Sequence, residues 1–132
     1  IGKLGSNLYR ITQNKQFGLV NQKGEIVLAC KYKDIYLLSK ELGLLLVMDD
    51  EFMIGLRDSD GKEIVPCKYT HIGEFSPEGY AIVRIQKAEG YINSAGKEIV
   101  PCKYKTVYPI EEDGTLQVQQ TDGYVIRIKI EN

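Results

Sequence analysis

The sequence predicts an all-β protein built from tandem repeats of about 35 residues, and three observations support this prediction. Three segments of the chain align with one another, apolar residues mostly alternate in them as they do in strands, and no stretch of ten or more residues has a helical period. In each segment two glycines stand six residues apart and a cysteine follows after six more: Gly18, Gly24 and Cys30; Gly55, Gly61 and Cys67; Gly90, Gly96 and Cys102.

Each repeat is expected to hold roughly four short antiparallel strands. The first strand ends at Asn21, Asp58 or Asn93, and a glycine stands three residues later. The side chain of Asn or Asp at the start of a type I turn forms a hydrogen bond with the backbone two residues on, and glycine adopts the left-handed conformation that follows. A tight turn into a second strand is therefore expected. Pro66 and Pro101 lie in that second strand, which should be short or lie at a sheet edge because proline donates no ladder hydrogen bond.

Two more strands complete the predicted unit. The third begins near a recurring tyrosine, and the fourth follows a turn; these strands are expected near Tyr32, Tyr69 and Tyr104, and at Leu44 to Met48, Tyr80 to Ile85 and Leu116 to Val118, with an extra copy of the fourth at Leu8 to Ile11. The repeat cores then fall at 17–49, 54–86 and 89–120. A partial fourth copy is expected at 122–132, starting with Asp122-Gly123-Tyr124-Val125.

One unit has too little apolar surface to offset its ordering entropy, so the copies should share a core within a single domain of residues 1–132. An open repeat array is the first prediction. A closed β-trefoil or a propeller-like arrangement is the alternative.

Composition restricts the class of protein. Of the 132 residues, 43% are apolar and 27% are charged, which excludes disorder, and the net charge of −1 gives no overall attraction to nucleic acid or to an anionic membrane. The longest apolar run, Leu42 to Met48, is far shorter than the about twenty residues of a spanning helix, so no transmembrane segment is expected. The chain starts with Ile1 and shows no basic-then-apolar leader, which indicates a processed chain or an excised piece.

The repeat resembles a known family at its most regular residues. Its pattern is Gly-aromatic-Ile-Asn/Asp-x-x-Gly-Lys-x-Ile-Val-Pro, then Tyr and a later strand with an Ala-x-Val segment; the nearest matches are Gly90 to Pro101 and Phe75 to Val83. This pattern is similar to the WG repeat, also called the KWG repeat, of bacterial proteins, and the resemblance extends from about Leu8 to Val125. The chain has no Trp, and the family's Trp position holds Phe17, Ile54, Glu89 and Asp122. The resemblance implies a β-repeat scaffold that binds other molecules, and it implies no catalytic residue.

The three cysteines have equivalent positions and cannot all pair. They are expected to be small buried residues, each serving its own repeat. Convergence of the three thiolates on one metal ion would need a closed three-fold fold, and paired local ligands are lacking, so no metal or other cofactor is expected. Reduced thiols fit a cytoplasmic location.

Other residues that could carry chemistry have simpler interpretations. His71, the only histidine, corresponds to Asp34 and Thr106 in the other copies and is expected to be a surface strand residue, although a small hydrolase using it with Glu74 is the enzyme alternative. The stretch from Asp58 to Gly61 lacks the final Glu of a calcium loop and is expected to be a turn. The acidic clusters, Asp49 to Glu51 and Glu111 to Asp113, are expected to be solvated turns rather than an acid–base pair.

The sequence therefore predicts a non-enzymatic module that binds a protein or a glycan, with a lectin-like trefoil as the alternative. Tyr36 and Tyr108 recur in two copies and are candidates for the contact surface. Lys31, Lys68 and Lys103 follow the three cysteines and could form a basic ladder facing an anionic partner, or keep an edge strand soluble.

Overall fold

A computed structural model describes residues 2–3 and 7–130 of the chain. Within these residues every regular element is a β-strand, which confirms the predicted all-β class. The described part of the chain contains no helix long and apolar enough to cross a lipid bilayer.

The strands form four sheets. Sheet 1 comprises β1 (Gly2–Lys3), β2 (Leu8–Gln13), β3 (Gln16–Asn21) and β4 (Ile26–Tyr32). Sheet 2 comprises β5 (Asp34–Ser39), β6 (Leu44–Met48), β7 (Ile54–Asp58) and β8 (Glu63–Tyr69). Sheet 3 comprises β9 (His71–Ile72), β10 (Tyr80–Ile85), β11 (Ala88–Asn93) and β12 (Glu98–Tyr104). Sheet 4 comprises β13 (Thr106–Val107), β14 (Thr115–Gln119) and β15 (Val125–Lys129).

Strands follow one another in chain order within each antiparallel sheet, and no described sheet closes into a barrel. The sheets are offset from the sequence repeat: sheet 2, for example, joins the last two strands of one repeat, β5 and β6, to the first two of the next, β7 and β8. Sheets 2 and 3 each begin just after one recurring tyrosine and end at the next. Sheet 2, for example, begins after Tyr32 and ends at Tyr69. The predicted third and fourth strands are confirmed at these places.

The proline-containing second strands lie at sheet edges, as predicted. β8 and β12 are the outermost strands of sheets 2 and 3, and β4 has the same place in sheet 1. They are seven residues long and therefore not short. An edge strand tolerates Pro66 and Pro101 at this length because half of its amide groups face no neighbouring strand.

The three predicted Asn or Asp turns share one hydrogen-bond arrangement. In the turn after β11, Asn93 Oδ1 accepts from the amides of Ala95 and Lys97, both at 3.0 Å. The turns that begin at Asn21 and Asp58 repeat both bonds at 2.8 to 2.9 Å. The Asp58 segment is thus a turn, as expected, and its carboxylate is used by the backbone.

Replacing Asn93 with alanine is expected to lower the free energy of unfolding by about 1–2 kcal/mol, because two backbone amides lose their acceptor. Urea unfolding followed by circular dichroism measures the change. Ser94→Ala, at the exposed next residue, should leave stability unchanged. Equal midpoints for all three proteins would contradict the prediction.

The chain divides into two compact units, unit 1 and unit 2, with the boundary between Lys68 and Tyr69. The core of unit 1 comes from sheets 1 and 2 and contains Leu8, Leu19, Leu28, Tyr32, Ile35, Leu45 and Val47. The core of unit 2 comes from sheets 3 and 4 and contains Tyr91, Ile99, Val100, Tyr104, Val107, Leu116 and Val118. The recurring tyrosines, Tyr32, Tyr69 and Tyr104, are all buried.

The segment expected to open a fourth copy has a different local structure from the other three. Gly123 has a φ of +94° and lies in the tight turn between β14 and β15, where its amide donates to the Gln120 carbonyl. Gly90, by contrast, lies within β11. The last two residues of the expected partial copy, 131–132, lie outside the described residues.

Candidate functional site

The candidate lysines lie on the edge strands. Lys31, Lys68 and Lys103 are all exposed, one each on β4, β8 and β12. The ammonium of Lys31 lies 5.5 Å from the ring centre of Tyr32, and that of Lys103 lies 5.4 Å from the ring centre of Tyr104. These two lysines therefore cover buried tyrosines while keeping their charges in water.

The candidate tyrosines are partly exposed in separate units. Tyr36, on β5 of unit 1, is 42% exposed, and Tyr108, just after β13 of unit 2, is 40% exposed. Each follows a buried strand residue, Ile35 or Val107, so the alternation of the strand directs the tyrosine away from the core.

The three cysteines are half-buried, and no disulfide joins them. The Cys67 thiol lies 3.9 Å from the Val47 carbonyl oxygen, and the Cys102 thiol lies 3.4 Å from that of Ala88. Burial is the main cause that raises the pKa of Cys67 above its ordinary value. Among the described residues no group of three or more His, Cys, Asp or Glu could hold a metal ion.

The remaining candidates for chemistry lie at the surface. His71 is exposed on β9, and Glu74 is exposed in the segment after it. Asp49 accepts the amides of Glu51 and Met53, both at 2.9 Å, which makes the first acidic cluster a turn, as predicted.

A pocket of about 330 Å³ lies in unit 2, between the turn before β10 and the turn before β14. Its apolar walls include Tyr80, Tyr91 and Ile110. Three carboxylates also line it, those of Glu78, Glu111 and Glu112. Tyr108 precedes the lining residues Pro109 and Ile110, so this predicted contact residue adjoins the pocket.

Tyr91 forms the buried wall of the pocket. It is 7% exposed, and its hydroxyl donates to the Tyr108 carbonyl oxygen at 3.1 Å. Burial, followed by the charge of Glu89, raises its pKa above the ordinary value, so the hydroxyl keeps its proton at neutral pH. The register-equivalent positions in sheets 1 and 2 hold Leu19 and Leu56.

The carboxylates at the pocket differ in their ion pairs and hydrogen bonds. Glu111 forms an ion pair with Arg127. Glu78 and Glu112 are exposed and form no ion pair with another described residue. Beside them, Asp113 Oδ1 accepts the hydroxyl of Thr115 at 2.6 Å, and this bond is the main cause of its lowered pKa. The pocket mouth therefore carries negative charge over aromatic walls.

Sequence reasoning missed this pocket. The cluster from Glu111 to Asp113 was predicted to be a solvated turn, and it is one, but the structure places it opposite Glu78 of another turn. The available signal was the tyrosine at position 91, where the other repeats hold Leu19 and Leu56.

The fold defines a class of β-repeat scaffold that consists of consecutive open antiparallel meanders. The family model for the WG containing repeat matches residues 17–51, 54–87 and 90–124. The chain therefore belongs to the WG repeat family, as its pattern indicated. A search of the curated proteins finds no match to the chain.

Proposed function

We propose that this chain is a non-enzymatic repeat module that binds a protein partner, and that the unit 2 pocket receives a basic side chain of that partner. The observation that supports this is the pairing of aromatic walls with the carboxylates of Glu78 and Glu112 in one pocket of about 330 Å³.

Two physical effects favour a lysine or arginine side chain there. A cation over a tyrosine ring gains about 0.5–2 kcal/mol, depending on how fully it is desolvated. Each exposed carboxylate adds up to about 1 kcal/mol, and that part weakens as salt is added. A sugar would gain the stacking but not the charge, which is why a protein ligand is proposed over a glycan.

Tyr108 is proposed as the rim contact beside the pocket, since it adjoins the lining and is partly exposed. Tyr36 and the edge lysines are proposed as further contacts for the same partner. The proposal also places the module in the cytoplasm of a bacterium, as part of a larger protein; three cysteines that no disulfide joins and the family resemblance support this.

The test uses defined probes. An array of short peptides, each containing one Arg or Lys, and a matched array with Gln in that place are incubated with the chain, next to a glycan array. We expect binding to the basic peptides only, with an affinity that falls as salt rises. The Glu78→Gln/Glu112→Gln double variant should bind about fivefold to tenfold more weakly, since each tenfold loss corresponds to about 1.4 kcal/mol.

Glu51→Gln, an exposed turn carboxylate of unit 1, is the matched control and should bind as the unchanged chain does. Tyr108→Ala should also weaken binding. Equal affinity of the double variant, or signals on the glycan array alone, would overturn the proposal.

A further inference from the structure

Among the described residues, sheet 4 has three strands where each of the other sheets has four, and its last strand, β15, differs from the equivalent strands β7 and β11 at two positions. In sheets 2 and 3 the middle-strand residues Val47 and Val83 pair with Gly55 and Gly90. Val118 has their place in sheet 4, since it pairs with Val107 as Val47 pairs with Ile35. Its partner on β15 is Ile126.

Glycine at this position makes room for the next strand. A Cβ atom built on Gly55 would lie 2.5 Å from the Val65 carbonyl oxygen, and one on Gly90 would lie 2.5 Å from that of Val100. Gly18 gives 2.6 Å to the Leu28 carbonyl oxygen. Since atoms that are not bonded cannot approach so closely, strands β4, β8 and β12 can pack as they do only against glycine.

A second departure lies three residues further on. The position that holds Asn21, Asp58 and Asn93 in the other sheets holds Lys129 in β15, opposite Thr115. A lysine side chain cannot accept the two amides that form the turn into a second strand.

We propose that Ile126 is a specificity-determining residue of the β15 edge: it excludes any added strand that packs with the close approach of β4, β8 and β12, including such a strand from a second copy of the chain. Tyr124, Val125 and Ile126 are exposed and apolar, which favours contact with another strand, so the steric barrier at Ile126 restricts which strands can pack there. The barrier is steric: the Cβ atom of Ile126 alone is enough to block the close approach, and the rest of the side chain adds to it.

The test offers β15 an added strand. A labelled peptide with the sequence of Gly96 to Tyr104, with serine in place of its cysteine, is titrated into the chain and followed by fluorescence anisotropy. Ile126→Gly should bind it at least tenfold more tightly than the unchanged chain. Ile126→Ala should gain nothing, because the Cβ atom remains.

Val125→Gly is the matched control, since it places a glycine at the neighbouring exposed position and leaves Ile126 in place. Equal peptide affinity of Ile126→Gly and the unchanged chain, or an equal gain with Val125→Gly or Ile126→Ala, would overturn the proposal.

A reciprocal measurement covers the case in which Ile126→Gly does not fold. In Gly90→Ala the new methyl group should displace β12, and the amides of β12 that bond to β11 should exchange with solvent at least tenfold faster than in the unchanged chain. Unchanged protection of β12 would show that the close approach is not required, and the proposal would fail.

Discussion

Replacing Gly90 with alanine is expected to lower the free energy of unfolding by about 3 kcal/mol or more. The added Cβ atom would lie 2.5 Å from the Val100 carbonyl oxygen and 2.8 Å from the Cys102 amide nitrogen. Both atoms belong to the backbone of β12, so no side-chain rotation relieves the overlap and the strand itself has to move. Urea unfolding followed by far-ultraviolet circular dichroism measures the loss.

Gly73 is the matched control for this substitution. It lies in the same unit, and a Cβ atom there would meet its nearest neighbour, the Ile82 carbonyl oxygen, at 3.5 Å, which is an ordinary contact. Gly73→Ala should therefore change stability by no more than about 0.5 kcal/mol. If the two variants lost the same amount, the effect of Gly90→Ala would come from the general cost of changing a glycine and not from the approach of β12.

Much of the fold could be predicted because local chemistry determines it. The turns at Asn21, Asp58 and Asn93 form through side-chain hydrogen bonds to backbone amides two and four positions on. Five consecutive residues therefore contain all the groups that determine each turn. The edge positions of β8 and β12 follow in the same way from Pro66 and Pro101.

The sheet offset and the pocket could not be predicted this way. Sequence alignment shows where a repeat recurs, but it does not show which strands pair across the repeat boundary. The pocket combines Glu78 and Glu112 from turns that are 34 positions apart in the sequence, and the packing of sheets 3 and 4 around one core brings the turns together.

The motif at Asp122-Gly123-Tyr124 shows that similar short sequences can have different local structures. Its glycine follows Gly90 by 33 positions, whereas the earlier glycines are 37 and 35 apart. The shorter spacing moves Gly123 out of the strand and into the turn, and Ile126 takes the strand position. Strand register, which the sequence alone does not supply, decides which residues are equivalent.

The recurring tyrosines yield the second large prediction. Tyr69 is 1% exposed, and its hydroxyl donates to the carboxylate of Glu98, the first residue of the next edge strand. Burial is the main cause that raises the pKa of Tyr69, and the bond to Glu98 adds to it. Tyr69→Phe is expected to lower the free energy of unfolding by about 2 kcal/mol, because the bond to a charged acceptor is lost.

Tyr32 has the equivalent place one repeat earlier, but its buried hydroxyl has no hydrogen-bond partner among the described residues. The residue that corresponds to Glu98 is Glu63. Its Oε1 atom lies 3.5 Å from Nη2 of Arg57, with which it forms an ion pair, and it does not accept the Tyr32 hydroxyl. The position of Arg57 is occupied by Ile92 in the following repeat, so this position supplies no guanidinium to Glu98. The change from arginine to isoleucine thus accompanies the difference between the two tyrosines: Tyr69 donates to Glu98, and the Tyr32 hydroxyl has no partner among the described residues.

Tyr32→Phe is therefore the matched control for Tyr69→Phe, with an opposite expectation. Removing an unsatisfied buried hydroxyl should leave the free energy of unfolding unchanged or raise it by up to about 1 kcal/mol. Both variants keep the ring and its apolar burial, so the difference between them isolates the hydroxyl. Equal losses in urea unfolding would mean that Tyr32 also has an acceptor in solution, and the assignment of Glu63 to Arg57 would then be wrong.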